Sequence, residues 1–292
     1  MVKRRISYVL VLTLVGAFAL AFAIPIIVTF TNSFMLGSQI RARYAMDVLP
    51  TNAFYRLEVF PQIHFVRMTV FPAWISFTQY LSVIFDDVYL FALWNSIILT
   101  LPSVLGQIVI AVPAAYAFEF GKWKHKEKLF FVYIVIMLMP LPVVLVPQFV
   151  MAGFLRIQES TLAVILPAIF APFGVFLLRQ FVKTFPKECL EAAKIDGAGQ
   201  IRTLVSIVVP LLKPAIAALS LLVFVDYWNV VEQAIVFITD PNRMPLSVAL
   251  SGMIHSYDII FAASFFYMIP ALLVFLYGQE YLVEGVRLSG MK

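Results

Sequence analysis

Two short stretches of this chain gather the polar residues whose types and spacing could do chemistry. In VDYWNVVEQ, Val225 to Gln233, the side chains of Asp226, Asn229 and Gln233 recur at i, i+3 and i+7. On a continuous helix that spacing puts them on one face. A carboxylate and two carboxamides there can hydrogen-bond the hydroxyls of a polar solute, and Tyr227 or Trp228 beside them offers a ring for a sugar to stack on. The same face would serve equally well to hydrogen-bond a neighbouring membrane helix. The second stretch, KECLEAAKIDGAGQIRTLVSIVVPLLKP, runs from Lys187 to Pro214. Its Glu191 can pair with a basic residue on another surface, and Ala192 and Ala193 lack the bulk that would keep such a surface away. Neither stretch is catalytic in type. The chain has no G-x-x-x-x-G-K-[ST] phosphate loop, no H-E-x-x-H and no G-x-S-x-G. His64, His125 and His255 fall in three separate loops, and Cys189 is the single cysteine. An intrachain disulfide and a cysteine-based metal site are therefore excluded. No catalytic residue, metal site or bound cofactor is expected, and if ATP drives this chain, another chain must bind it.

The elements that must position these residues are membrane helices. Of 292 residues, 62% are hydrophobic and 13% charged, about half the ~25% charged residues of a soluble domain. Six apolar stretches, near 7–31, 91–118, 129–152, 161–181, 207–237 and 259–282, are each long enough for a bilayer crossing, which needs roughly 20 residues of helix. The first follows Lys3, Arg4 and Arg5 and passes an AFA at Ala21 to Ala23. It runs well past the length of a signal-peptide core, so a retained span is expected. Pro140, Pro142, Pro147, Pro167 and Pro172 should kink or break spans three and four. Asp226 would stand about 24 Å along a straight fifth helix from Pro210, where an ionisable group should face protein or a watery cavity.

With the N-terminus inside, every Lys and Arg except Arg41, Arg43, Arg56, Arg67, Arg156 and Arg243 falls on the cytoplasmic side, as the positive-inside rule requires. Both ends of the chain and the Lys187–Pro214 stretch are then cytoplasmic. GKWKHKEK, Gly121 to Lys128, reads as an anchor near lipid head groups, not as a nucleic-acid patch. The chain divides into 1–90, the first span with a long outer loop; 91–282, a five-span core; and 283–292, a cytoplasmic tail. Within the core, 184–209 is a cytoplasmic loop and 239–258 an outer loop. The first outer loop, roughly 36–90, is too apolar for a free linker and should fold against the outer membrane surface. The second opens with turn residues at Asp240, Pro241 and Asn242.

In the cytoplasmic stretch, Pro186 suits the first turn of a helix, Lys187 to Ile195 reads as a short helix, and Asp196 to Gly199 breaks it, with Gly197 or Gly199 free to take a positive φ. A second helical run, Gln200 to Val209, should lead into span five through Pro210 and Pro214. From the residues alone this is either a docking element or an amphipathic connector lying on the membrane. Its spacing resembles a known pattern. Glu191-Ala192-Ala193, three residues, Gly197, nine residues, then Ile207-Val208-Val209-Pro210 is similar to the EAA motif of ABC-importer permeases, with Val209 where leucine is usual. LWNSIILT, AAYAFEFGKWKHKEKLFF, FGVFLLRQFVKTFPKECLEAAKIDGA, DYWNVVEQAIVFITDPNRMPLSVAL and YLVEGVRLSGMK also look like the carbohydrate-type branch, and the six-span count resembles the second permease subunit of maltose-type importers.

The resemblance implies an all-α, six-span, type I ABC-importer permease in a prokaryotic plasma membrane. It implies four further partners besides the bilayer: a second homologous permease, two ATPase subunits carrying ATP and Mg, and an extracytoplasmic solute-binding protein. Glu191, Ala192, Ala193, Asp196 and Gly197 would form the coupling helix and turn that dock on an ATPase. Ser289, Gly290, Met291 and Lys292 would reach the ATPase interface. Asp240, Pro241, Asn242 and Arg243 would lie in the outer loop that meets the binding protein. The alternatives are an ion-coupled secondary transporter, which would favour ionisable groups at the membrane centre and paired repeats, and an integral membrane enzyme, for which no constellation is visible.

Overall fold

The computed structural model describes residues 2–44, 71–72, 74–185, 187–252 and 259–290. Most of the first outer loop, His64, Pro186, residues 253–258 with His255, and Met291 and Lys292 lie outside the described residues. Among the described residues the regular structure is helical, without strands. In chain order the helices are α1 Val2–Asn32, α2 Gly37–Tyr44, α3 Thr78–Ile84, α4 Asp87–Phe120, α5 Lys126–Met137, α6 Leu141–Phe154, α7 Leu162–Ile169, α8 Pro172–Val182, α9 Lys187–Ile195, α10 Gln200–Thr203, α11 Val209–Leu211, α12 Lys213–Trp228, α13 Glu232–Phe237, α14 Leu246–Gly252 and α15 Ile260–Gly290. Among the described residues, four segments are long and apolar enough to cross a membrane: Val11–Asn32, Asp87–Phe120, Leu162–Val182 and Ile260–Tyr281. The number reaches six if α5 with α6, bent by 107°, and Gln200–Leu211 with α12, bent by 75°, are each one span.

Proline chemistry explains several of the breaks. Pro140 caps α6 in an extended conformation (φ −65°, ψ 143°) and Pro142 sits in its first turn, so the expected third span is two helices. Pro172 opens α8, because the missing N–H costs nothing at a helix start. The expected second helix of the cytoplasmic stretch, Gln200 to Val209, is α10 followed by a π-helical turn, Leu204–Val208, and then α11. Pro210 cannot donate to the residue four before it and its ring crowds that carbonyl; a widened turn relieves both.

The fifth span departs from its expected form. It ends at Trp228 instead of running to 237, and α13 starts afresh at Glu232. Asn229 donates its side-chain amide to the Val225 carbonyl at 2.7 Å, closing the last turn, and Val231 leaves helical geometry (φ −124°, ψ −59°). Asp226, Asn229 and Gln233 therefore do not share a face, because that spacing needs an unbroken helix. The bend before α12 also removes the straight 24 Å rise from Pro210; from Lys213, where α12 begins, Asp226 stands about 20 Å along.

The chain forms two compact units, residues 1–90 with 250–269 and residues 91–249 with 270–292. In the first, α1 continues unbroken through Ala21–Ala23 to Asn32. Its C-terminal carbonyls are met by Gln79, which is buried and donates to Asn32 at 3.0 Å and Met35 at 2.6 Å. Phe30, Phe34, Phe77, Tyr80, Phe265 and Phe266 form a ring cluster around it, with centroid separations from 5.0 to 6.4 Å. The described end of the first outer loop is thus folded onto the end of α1. Asp86 caps α4 by accepting the Tyr89 N–H at 2.8 Å, the ordinary use of aspartate at a helix start. The second unit carries the sites that follow.

Candidate functional site

α9 is a nine-residue amphipathic helix. Leu190 and Ala193 are buried against the rest of the chain, whereas Glu191, Ala192 and Asp196 are exposed. The helix stops in a hydrogen-bonded turn: Asp196 N–H donates to the Ala192 carbonyl and Ala198 N–H to the Ala193 carbonyl, both at 2.9 Å. This six-to-one closure requires the residue before Ala198 to be left-handed, and Gly197 is, with φ +73°. A Cβ on Gly197 would meet nothing within 4 Å, so the demand for glycine is conformational and not a matter of space. Beyond the turn, Gly199 caps α10. Ile195 and Ile201, either side of the turn, are 87% and 80% exposed. Two large aliphatic side chains beside an exposed glutamate make a surface suited to a protein partner.

A cleft of about 1240 Å³ lies beside α9. One wall is the end of α4 and the α4–α5 turn, with Tyr116, Glu119, Trp123 and Lys126; the other carries Glu191 and Gln200. The first wall is rigid because one carbonyl closes it. Ala117 O accepts the Gly121 N–H at 2.9 Å and the Trp123 indole N–H at 3.3 Å. A Cβ at Gly121 would collide with that same oxygen.

Sequence reasoning missed the group at the foot of this wall. Arg179, in the last turn of α8, is 2% exposed. Its Nε donates to Glu119 Oε2 at 3.1 Å and its Nη2 to Glu127 Oε1 at 2.6 Å. Its guanidinium lies 4.0 Å above the Phe130 ring, and Lys126 Nζ donates to the Glu119 carbonyl at 2.7 Å. A buried guanidinium without such partners would cost several kcal/mol. The signal in the sequence was a lone arginine inside the apolar run FLLRQF.

The segment from Asp240 to Leu246 is equally well held. Asp240 Oδ1 accepts the Asn242 N–H at 3.0 Å, and Arg243 closes on Asp240 at 3.4 Å, so Pro241–Arg243 winds into a short 3₁₀ turn. Asn95 of α4 donates to the carbonyls of Asn242 and Met244 at 2.7 and 3.2 Å. Its neighbour Ser96 accepts the buried Leu246 N–H at 2.8 Å. Asn95 and Ser96 lie in LWNSIILT, where sequence reading gave them no role.

Of the fifth-span residues, Asp226 and Tyr227 line a cavity of about 330 Å³ with Gln107, Ala171, Phe173 and Leu222. Gln107 is 2% exposed, and its Oε1 has no hydrogen-bond partner among the described residues. Trp228 is buried, its ring stacked on Phe224 at 5.4 Å, so that face is not free for a sugar. Gln233 lies in α13, away from the Asp226 face. Ser289 and Gly290 close the last turn of α15. No group of His, Cys, Asp and Glu among the described residues could hold a metal ion.

Comparison with known proteins accounts for the arrangement. The family of binding-protein-dependent transport system inner membrane components matches residues 107–288. The arabinooligosaccharides transport system permease protein AraQ of Halalkalibacterium halodurans is 26% identical over 72% of this chain and 77% of its own length. The osmoprotective compounds uptake permease protein GgtD of Synechocystis is 30% identical over 69% and 70%. The sn-glycerol-3-phosphate transport system permease protein UgpE of Pectobacterium atrosepticum is 30% identical over 66% and 71%. Among solved structures, a chain of a bacterial ABC transporter that imports the acidic polysaccharide alginate shares the fold, with a TM-score of 0.76 at 23% identity over 95% of this chain and 96% of that one. The protein is an ABC-importer permease subunit, a multi-pass membrane protein that belongs to the family of binding-protein-dependent transport system inner membrane components.

Proposed function

We propose that this permease carries a sugar or an oligosaccharide inward, paired with a second permease and driven by two ATPase subunits that hold ATP and Mg. An extracytoplasmic binding protein delivers the solute. The relatives are named for arabinooligosaccharides, sn-glycerol-3-phosphate and osmoprotective compounds. In this reading both termini and α9 face the cytoplasm, where α9 docks on an ATPase. Glu191 pairs with a basic residue there, Ala192 admits close approach, and Gly197 with Asp196 sets the turn. Ala193 is buried in its own chain, so its small size serves the seating of α9 instead. The tail Ser289–Lys292 is a second ATPase contact, and the Asp240–Arg243 turn meets the binding protein. Asp226 and Tyr227, with Gln107, line part of the solute path.

The observation that carries this reading is the presentation of α9: a helix seated by Leu190 and Ala193, ended by a left-handed glycine, and showing Glu191, Ala192 and two bare isoleucines outward. A connector resting on lipid would turn Ile195 and Leu190 the same way and leave the glutamate in water. The test is retention of a tagged ATPase subunit by this chain in detergent. Retention that falls at least tenfold on Glu191→Lys or Ala192→Trp is expected, and retention unchanged by both would remove α9 as the docking element.

A further inference from the structure

We propose that Arg179 is a positioning residue that passes the displacement of α9 into α4 and α5, and so links ATPase closure to the membrane helices. This inference rests on the docking of α9 proposed above.

The chain path places Arg179 where such a link must be. It belongs to the last turn of α8, and residues 183–185 that follow are hydrogen-bonded back onto that turn. Lys183 N–H donates to the Arg179 carbonyl at 3.0 Å, Thr184 N–H to Phe181 at 2.9 Å and Phe185 N–H to Val182 at 3.2 Å. The Thr184 hydroxyl adds a bond to the Phe181 carbonyl at 2.7 Å. With α9 starting at Lys187, a push on α9 acts on the Arg179 turn through only a few residues. From there the guanidinium grips two other helices at once, the end of α4 through Glu119 and the first turn of α5 through Glu127.

The chemistry suits transmission better than it suits stability. A buried arginine paired with a half-buried Glu119 and an exposed Glu127 adds little net stability compared with apolar packing, and Phe130 and Leu178 show that apolar groups fill this region readily. Charge-assisted bonds of a planar fork, however, are directional, so they resist the sliding that apolar contacts allow. The cluster is also not saturated. Arg179 Nη1 is buried without a hydrogen-bond partner among the described residues, and a link that exchanges partners during a stroke needs one such uncommitted donor.

The experiment uses the assembled transporter, permeases with ATPase, in proteoliposomes with the loaded binding protein outside. Arg179→Lys, Arg179→Met and the charge-free Arg179→Met/Glu119→Gln/Glu127→Gln are compared with the unaltered complex. The triple variant guards against misfolding, since it leaves neither glutamate charged without its arginine. In both Met variants, ATPase retention and basal hydrolysis should stay within about twofold. Stimulation by the binding protein and solute uptake should fall by about tenfold or more. Arg179→Lys, which keeps the charge but not the fork, should recover part of both. Stimulation and uptake within twofold of normal in the triple variant overturn the inference and leave the docking of α9 standing. Loss of ATPase retention in the triple variant also overturns it, because the cluster is then structural. Failure of the unaltered chain to retain any ATPase removes the proposed docking itself.

Discussion

Gly197 shows how one residue can be indispensable without touching anything. Its left-handed backbone costs an L-residue with a Cβ about 1–2 kcal/mol, and no neighbour crowds the site. Gly197→Asn should therefore be the mildest substitution, Gly197→Ala intermediate and Gly197→Val the worst, with ATPase retention falling in that order. An order that instead follows side-chain volume alone, with Asn below Ala, would contradict the backbone argument. The two alanines of the motif separate in the same way. Ala192 is exposed and Ala193 buried, so Ala192→Leu should leave the thermal stability of the chain within about 0.5 kcal/mol while weakening ATPase retention. Ala193→Leu should cost about 1–3 kcal/mol through overpacking, measurable as a lowered melting temperature in detergent. The glutamate, alanines and glycine were legible in the sequence because their spacing is local. Arg179 with Glu119 and Glu127 was not, because its partners lie 60 and 52 residues away. Only the fold buries an arginine that reads as one more cytoplasmic charge and sets it against two carboxylates.

Helices and their breaks set what each site can do. The helix breaks at Pro140 and Pro172 were readable because proline fixes φ and lacks a donor. The end of α12 at Trp228 was not, since VDYWNVVEQ carries neither glycine nor proline and keeps a plausible helical period across the break. The asparagine that looked like a pathway group closes the helix instead, which leaves Asp226 and Tyr227 to be joined by Gln107 from α4. Gln107→Leu and Asp226→Asn should each lower uptake without changing ATPase retention; a parallel loss of retention would place these residues in assembly rather than in the path. At the other end of α4, Asn95 holds the Asp240–Arg243 turn by two carbonyls. Asn95→Ala should speed amide hydrogen exchange at Met244 to Leu246 and raise the binding-protein concentration needed for half-maximal uptake, with the maximal rate preserved. Unchanged exchange there would show that the turn holds itself.

For the whole molecule, the account divides labour between chains. This chain supplies membrane helices, the exposed helix α9 proposed to dock, and a turn at Asp240–Arg243 held by α4, and the source of energy lies elsewhere. Composition and span count made the polytopic class legible, and the family spacing supplied the importer reading, which the match over residues 107–288 establishes. The proposed path residues Asp226, Tyr227 and Gln107 can hydrogen-bond any hydroxylated solute. The most direct test of the central claim is solute uptake into sealed proteoliposomes that contain this chain, with and without a second permease and ATPase, with ATP inside and binding protein outside. The account predicts uptake only when all components and ATP are present, abolished by Gly197→Val. Concentrative uptake by this chain alone, without ATP, would contradict it.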